Sequence, residues 1–130
     1  MPVVELAGVT KAYENKVAVR NLSLSIDSGQ MFGLLGPNGA GKTSSIRMMM
    51  GITIPDSGRV SLFGKPFERA SLDRVGYLPE ERGLYKKMKV IDQLVFFGQL
   101  HGLVAEESRK RATDWARRME IADSLNKKTQ

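Results

Sequence analysis

Eight consecutive residues, Gly36-Pro37-Asn38-Gly39-Ala40-Gly41-Lys42-Thr43, fit the pattern G-x-x-x-x-G-K-[ST] in full. The chemistry that such spacing serves is capture of a polyphosphate. A triphosphate tail is dense negative charge, and holding it takes many donors at once. Glycines tolerate positive φ and carry no side chain, so the chain can wrap closely and aim successive backbone N–H groups inward. A helix opening directly after the loop adds its first amides and its dipole to the same anion site. Lys42 can reach the β- and γ-phosphates as a point charge, and the Thr43 hydroxyl can meet Mg²⁺. At ordinary residue frequencies four fixed positions match by chance about once in 30,000 starting points, which makes an incidental glycine-rich turn a poor account.

The flanking elements suit that loop. Met31-Phe32-Gly33-Leu34-Leu35 is a short apolar run that predicts a buried strand, and Thr43 to Met50 contains no Gly or Pro and predicts a helix. Upstream, Val3-Val4-Glu5-Leu6, Val17-Ala18-Val19 and Leu22-Ser23-Leu24-Ser25-Ile26 read as strands of a half-exposed antiparallel sheet, followed by a turn at Asp27-Ser28-Gly29-Gln30. Downstream, Pro55-Asp56-Ser57-Gly58 is a turn signal, Arg59 to Phe63 reads as a strand ending at Gly64, and a loop through Lys65-Pro66 leads to a further short strand at Val75-Gly76-Tyr77-Leu78. Met48, Met49 and Met50 read as flexible core filler. From Val90 the period becomes helical. Val90, Leu94, Phe97 and Leu100 form a stripe widened by Ile91 and Val95, and after Gly102 a second helix carries Ala112, Trp115, Ala116 and Met119, with Trp115 expected as a core anchor.

With 130 residues and 42% apolar content the chain supports one modest core. It has no cysteine, so disulfides and thiolate metal sites are excluded. No apolar run approaches the roughly 20 residues of a membrane span, and the N-terminus carries no secretory pattern, which points to a cytosolic setting. The net charge of +6 raises the question of nucleic acid. Glu106 with Lys110 and Glu107 with Arg111 have the four-residue spacing of a solvated, charge-paired helix face, and no aromatics interleave the basic residues as a stacking platform requires. His101, the only histidine, reads as a surface residue.

Taken together, Gly36 to Thr43, Tyr13 upstream and Gly76-Tyr77-Leu78-Pro79-Glu80 downstream resemble the nucleotide-binding subunit of ABC transporters, and the resemblance covers the whole chain. Glu5 to Tyr13 is similar to the family's first strand and adenine-stacking loop, and Glu81-Arg82-Gly83-Leu84-Tyr85 with Met88-Lys89-Val90 to the entry into its helical subdomain. The resemblance implies an α/β fold: an incomplete P-loop NTPase core, an N-terminal antiparallel β-subdomain and the start of a helical subdomain. It divides the chain into residues 1–30, 31–85 and 86–130 of a partial nucleotide-binding domain. The implied ligands are ATP and Mg²⁺. Tyr13 would stack on adenine, the stretch Gly36, Pro37, Asn38, Gly39, Ala40, Gly41, Lys42 and Thr43 would cradle the phosphates, and the Ser44 hydroxyl would touch the α-phosphate. Lys42 would also take part in catalysis. Glu80 stands where the family usually carries a glutamine that meets Mg²⁺ and the attacking water. A carboxylate can ligate Mg²⁺ beside Thr43 but cannot donate as an amide does.

The resemblance also implies partners: a transmembrane permease, with an ABC-2-type export system as the nearest sub-pattern, and a second nucleotide-binding subunit, placing the protein at the cytoplasmic face of a membrane. No nucleic-acid partner is expected. The family's signature segment, its acidic strand with a catalytic glutamate and its later histidine have no counterpart here, so the chain is expected to be the N-terminal part of a longer ATPase, holding ATP but scarcely hydrolysing it alone. Phe32 to Leu35 would then show an unpaired edge, favouring self-association. Three alternatives stay open. One is a DNA-repair or chromosome-type ATPase, although a compact helical pair without heptads follows Glu80. Another is a GTPase, for which Asp73-Arg74-Val75-Gly76 fits D-x-x-G but no N-K-x-D follows. The last is a structural half-domain that binds no nucleotide.

Overall fold

The computed structural model describes residues 1–80 and 83–129. Glu81 and Arg82, read above as part of the entry into a helical subdomain, lie outside the described residues. The chain divides into two compact units, Met1–Leu78 and Pro79–Gln130.

In the first unit the alternating apolar residues build one long hairpin, β1 (Pro2–Tyr13) and β2 (Lys16–Asp27), closed by Glu14 and Asn15. The runs expected at 17–19 and 22–26 are a single strand, because bulges carry the chain through the break. β1 holds an extra residue between Leu6 and Val9, and β2 one between Val19 and Leu22. Gly8 and Asn21 take positive φ there. Their amides go to hydroxyls: Gly8 N–H donates to Ser23 Oγ and Asn21 N–H to Thr10 Oγ1, each at 2.9 Å. The first bulge has a packing consequence. Leu6 and Val9 are three apart and would face opposite ways in a regular strand, yet both are buried in the same core.

β3 (Ser57–Leu62) pairs antiparallel with the other edge of β1, and a two-residue turn returns the chain into the short β4 (Lys65–Pro66), giving the order β2-β1-β3-β4. The turn residues Phe63 and Gly64 both have positive φ, the twist that a tight hairpin needs, so Lys65-Pro66 pairs instead of looping. The helix predicted after the glycine loop is α1 (Lys42–Met49). Met48 is its core residue, packed with Leu6, Val9, Val19 and Val60, while Met49 and Phe67 line the edge of that cluster.

The strands expected at Met31–Leu35 and Val75–Leu78 carry no ladder pairing among the described residues. Leu35 is 93% exposed, and Met31 and Leu78 are as open. The physical reason is that a strand of a parallel sheet is defined by neighbours on its edges, and none of the described strands pairs with either segment.

The second unit contains α2 (Val90–Leu100) and α3 (Ala105–Arg118), with a core of Ile91, Val95, Ala112, Ala116 and Leu125. Its buried face is therefore narrower than the predicted stripe: Ile91 and Val95 are inside, whereas Leu100 is exposed. Trp115 is not a core anchor, being 53% exposed with the Arg118 guanidinium 4.4 Å from its ring centroid. The cause is close approach through small residues. A Cβ on Gly98 would collide with the Ser108 hydroxyl, which itself donates to the Val95 carbonyl at 3.0 Å, so alanines rather than an indole fill the seam. Gln93, 2% exposed, accepts from the Tyr85 N–H at 2.9 Å and donates to Thr129 Oγ1 at 2.8 Å, tying residues on both flanks of the helix pair to α2.

Two substitutions test this packing. Gly58 has φ +84 and a Cβ there would collide with the Gly8 carbonyl, so Gly58→Ala should lower stability by about 2–3 kcal/mol in urea unfolding. Gln93→Leu strands the groups that its amide satisfies and should cost about 2 kcal/mol, read as a lower urea midpoint.

Candidate functional site

The glycine loop is built by three backbone devices. Ala40 N–H donates to the Pro37 carbonyl at 3.1 Å, closing a reverse turn, while Gly39 and Gly41 take φ +81 and +96. Gly41 is constrained twice. Its φ excludes most side chains, and a Cβ would run into the Ala18 carbonyl and sit 3.1 Å from Val19 Cγ2, so the base of the loop lies directly against β2. Gly41 is also the N-cap of α1, where no side chain caps the helix and no acid occupies the first turn. The positive end of the helix is thus neutralised by no side chain of the helix itself, an arrangement chemically suited to an anion. Ser45 fastens that end from inside, its N–H and its hydroxyl both donating to the Gly41 carbonyl at 2.9 and 2.8 Å.

Lys42 lies folded back over the loop. Its ammonium donates to the Gly36 carbonyl and, at 2.9 Å, to the Pro37 carbonyl. Thr43 is exposed and Ser44 half-buried on the first turn of α1. A cleft of about 220 Å³ runs beside them, walled by Ala18 and Val19 on one strand and by Ala40, Gly41 and Lys42 on the loop.

The hairpin end belongs to the same place. Tyr13, 44% exposed, is the cross-strand partner of Lys16, and a Cβ on Gly39 would lie 3.3 Å from the Lys16 ammonium. A ring and a cation are therefore carried by one hairpin tip next to the loop. Behind Tyr13 stands a pair that sequence reading missed. The Lys11 ammonium lies 5.5 Å from the Tyr13 ring centroid and bonds Asp56 Oδ1 at 2.8 Å, while Asp56 Oδ2 accepts from the Ala12 N–H at 2.8 Å. The Lys11 hydrogen bond, followed by the Ala12 amide, holds the Asp56 carboxyl below its usual pKa. Asp56 sits in the Pro55–Gly58 turn signal and reads there as a turn residue only. The shared face of Lys11 and Tyr13, two apart on a strand, was the available clue.

Tyr13 and residues Gly36 to Ser44 thus fall in the first unit. Glu80 falls in the second unit, where it is exposed. His101 is exposed at the end of α2, with Nδ1 2.9 Å from the Phe97 carbonyl oxygen. On α3 the Glu107–Arg111 pair forms at 2.6 Å, and Arg109 reaches Asp92 at 3.8 Å.

Known proteins resemble this chain over most of its length. A family model described as ABC transporter matches residues 19–130. The chain is 47% identical over 122 residues to an uncharacterized ABC transporter ATP-binding protein of Bacillus subtilis, covering 94% of this chain and 41% of that protein. It is 44% identical over 108 residues to a Nod factor export ATP-binding protein I of Mesorhizobium japonicum, covering 81% of this chain and 32% of the relative. The chain therefore spans less than half the length of these curated relatives. Among solved structures, an ATP-binding subunit of an ABC transporter superposes with a TM-score of 0.80 at 23% identity, over 97% of this chain and 54% of the other. A nucleotide-free ATP-binding cassette does so with a TM-score of 0.78 at 22% identity, over 98% and 58%. At that identity the superpositions establish the fold.

The Asp56 clamp has a pH signature. A carboxyl whose folded pKa is depressed stabilises the fold fully above its unfolded pKa and loses that contribution as pH falls through the folded value. The melting temperature of the wild type should therefore exceed that of Asp56→Asn at pH 7, and the gap should begin to narrow as pH falls below about 3.8 and close only below the lowered folded value, measured by circular dichroism across pH 2 to 7.

Proposed function

This chain belongs to the ABC transporter family, in its ATP-binding domain, and we propose that it grips Mg-ATP at the loop Gly36 to Thr43. The observation that carries the reading is the open N-terminus of α1, uncapped and free of acids, with the Lys42 ammonium spanning the loop in front of it. The donor set suits a polyphosphate: main-chain amides of Asn38 to Thr43, one ammonium, and the Ser44 hydroxyl. Lys42 is satisfied by neutral carbonyls here, and phosphate oxygens would replace them with stronger, charge-assisted partners.

Tyr13, half exposed on the hairpin tip, is proposed as the adenine platform. Thr43 is proposed as the Mg²⁺ ligand of the loop, with phosphate oxygens and water among the other ligands, as is usual for this cation. Glu80 is proposed as a further Mg²⁺ ligand from its motif alone. Bound ATP supplies the phosphoryl group for hydrolysis, and Lys42 would stabilise its charge. Slow turnover is proposed for this chain alone, because hydrolysis also needs a group that orients the attacking water and the loop residues are assigned to binding.

The wider role proposed is coupling of ATP to transport by a membrane permease, with a second ATP-binding subunit as partner, on the cytoplasmic face. Among the described residues no helix is long and apolar enough to cross a membrane. Export is the direction proposed, supported by the relatives named for Nod factor export. The exposed Met31, Phe32 and Leu35 are proposed as a strand that takes a partner, in another chain if no other is offered.

Calorimetric titration tests the site. Mg-ATP should bind the wild type, and Lys42→Ala should weaken it more than tenfold, about 1.4 kcal/mol. Equal heats for the two proteins would remove the loop from the binding site. A tenfold preference for GTP over ATP would contradict the adenine platform.

A further inference from the structure

β1 loses its neighbour just before the ring that the nucleobase needs. Pairing between β1 and β3 ends at Thr10 with Ser57, so Lys11, Ala12 and Tyr13 have only β2 beside them, across a stretch where the register itself shifts. Asp56 stands in for the missing rungs. Its own N–H donates to the Thr10 carbonyl at 2.9 Å, Oδ2 takes the Ala12 N–H and Oδ1 takes the Lys11 ammonium. Each of these contacts lands within three residues of Tyr13.

The side chains continue the line. Lys11 is only 16% exposed, unusual for a lysine near a strand end, and its ammonium lies over the Tyr13 ring. A cation held on one face of a phenol ring fixes the plane of that ring through attraction to its π-system. The held ring keeps enough open surface to receive a flat partner. Because Asp56 lies in the segment leading from α1 to β3, the clamp ties the ring's orientation to the body that carries the phosphate loop.

The geometry points to Asp56 as a positioning residue for the base-stacking ring: through Lys11 and the Ala12 amide it sets the face that Tyr13 offers to a nucleobase, and it acts on the base and not on the phosphates. This rests on the reading of Tyr13 as the adenine platform and of the glycine loop as the phosphate site. A merely structural clamp would weaken every ligand alike. A positioning residue discriminates between a ligand with a base and one without.

Mg-ATP and inorganic magnesium tripolyphosphate, which shares the polyanion but has no base, are titrated into the wild type, Asp56→Ala, Lys11→Met, Tyr13→Ala and the double variant Asp56→Ala with Tyr13→Ala. Asp56→Ala should weaken ATP about fivefold and Lys11→Met about threefold, with tripolyphosphate affinity changed by less than about 1.5-fold. On the Tyr13→Ala background the Asp56 effect should vanish. Equal weakening of both ligands, or a full Asp56 effect without the ring, would overturn the inference. Lys11→Met keeps the Ala12 contact and so decides the matter if Asp56→Ala does not fold: an unchanged ATP affinity there would overturn it too. Lys42→Ala should weaken both ligands, and if it weakens neither, the phosphate-site reading falls and this inference with it.

Discussion

No side chain fits between Gly41 and the Ala18 carbonyl, and the site depends on that single contact. It presses the base of the glycine loop onto β2, and the same residue ends the loop and begins α1. From there three consequences follow in order. The first turn of α1 is held with its amides outward by Ser45, whose two donors share the Gly41 carbonyl. Met48, two turns along, enters the core beside Leu6, Val9 and Val60. Lys16, near the start of β2, comes alongside Gly39, bringing the hairpin tip and its tyrosine to the loop. A larger residue at position 41 would separate strand, loop and helix together.

The first unit holds its site with backbone more than with side chains. Bulges at Gly8 and Asn21 bend the hairpin, hydroxyls take up the amides that the bulges release, and the Asp56 carboxylate replaces ladder bonds where β3 stops. This arrangement suits a ligand recognised largely through its charge, since amides fixed by the fold need no reorganisation when an anion arrives. Lys42 differs. Its ammonium rests on carbonyls of its own loop, which an arriving anion would have to displace.

The loop was legible because its chemistry demands particular residue types at fixed spacing, and the same holds for the helix that follows it. The alternation in β2 also survives, with Leu22, Leu24 and Ile26 turned inward. Elsewhere sequence period was a weaker guide. Met31–Leu35 has the composition of a buried strand, but strand identity in a parallel sheet belongs to the neighbours and not to the segment. Trp115 looked like an anchor by size, while the seam between α2 and α3 is set by Gly98 and Ser108, too narrow for an indole. Asp56 was hidden for another reason: in sequence it reads as an ordinary turn residue, whereas the structure runs straight into β3 at Ser57 and its role appears only when β1 is folded against it. The family itself could be read from motifs spread over the chain, and the match across residues 19–130 agrees.

The proposed site asks bare main-chain amides at the start of α1, with one ammonium, to hold the phosphates of ATP. Amide chemical shifts of the isotope-labelled chain, followed as Mg-ATP is added, test it most directly. The largest changes should fall on Gly39, Gly41, Lys42, Thr43 and Ser44 and saturate together, while the amides of α3 stay still. Saturable changes elsewhere with these amides unmoved would contradict it.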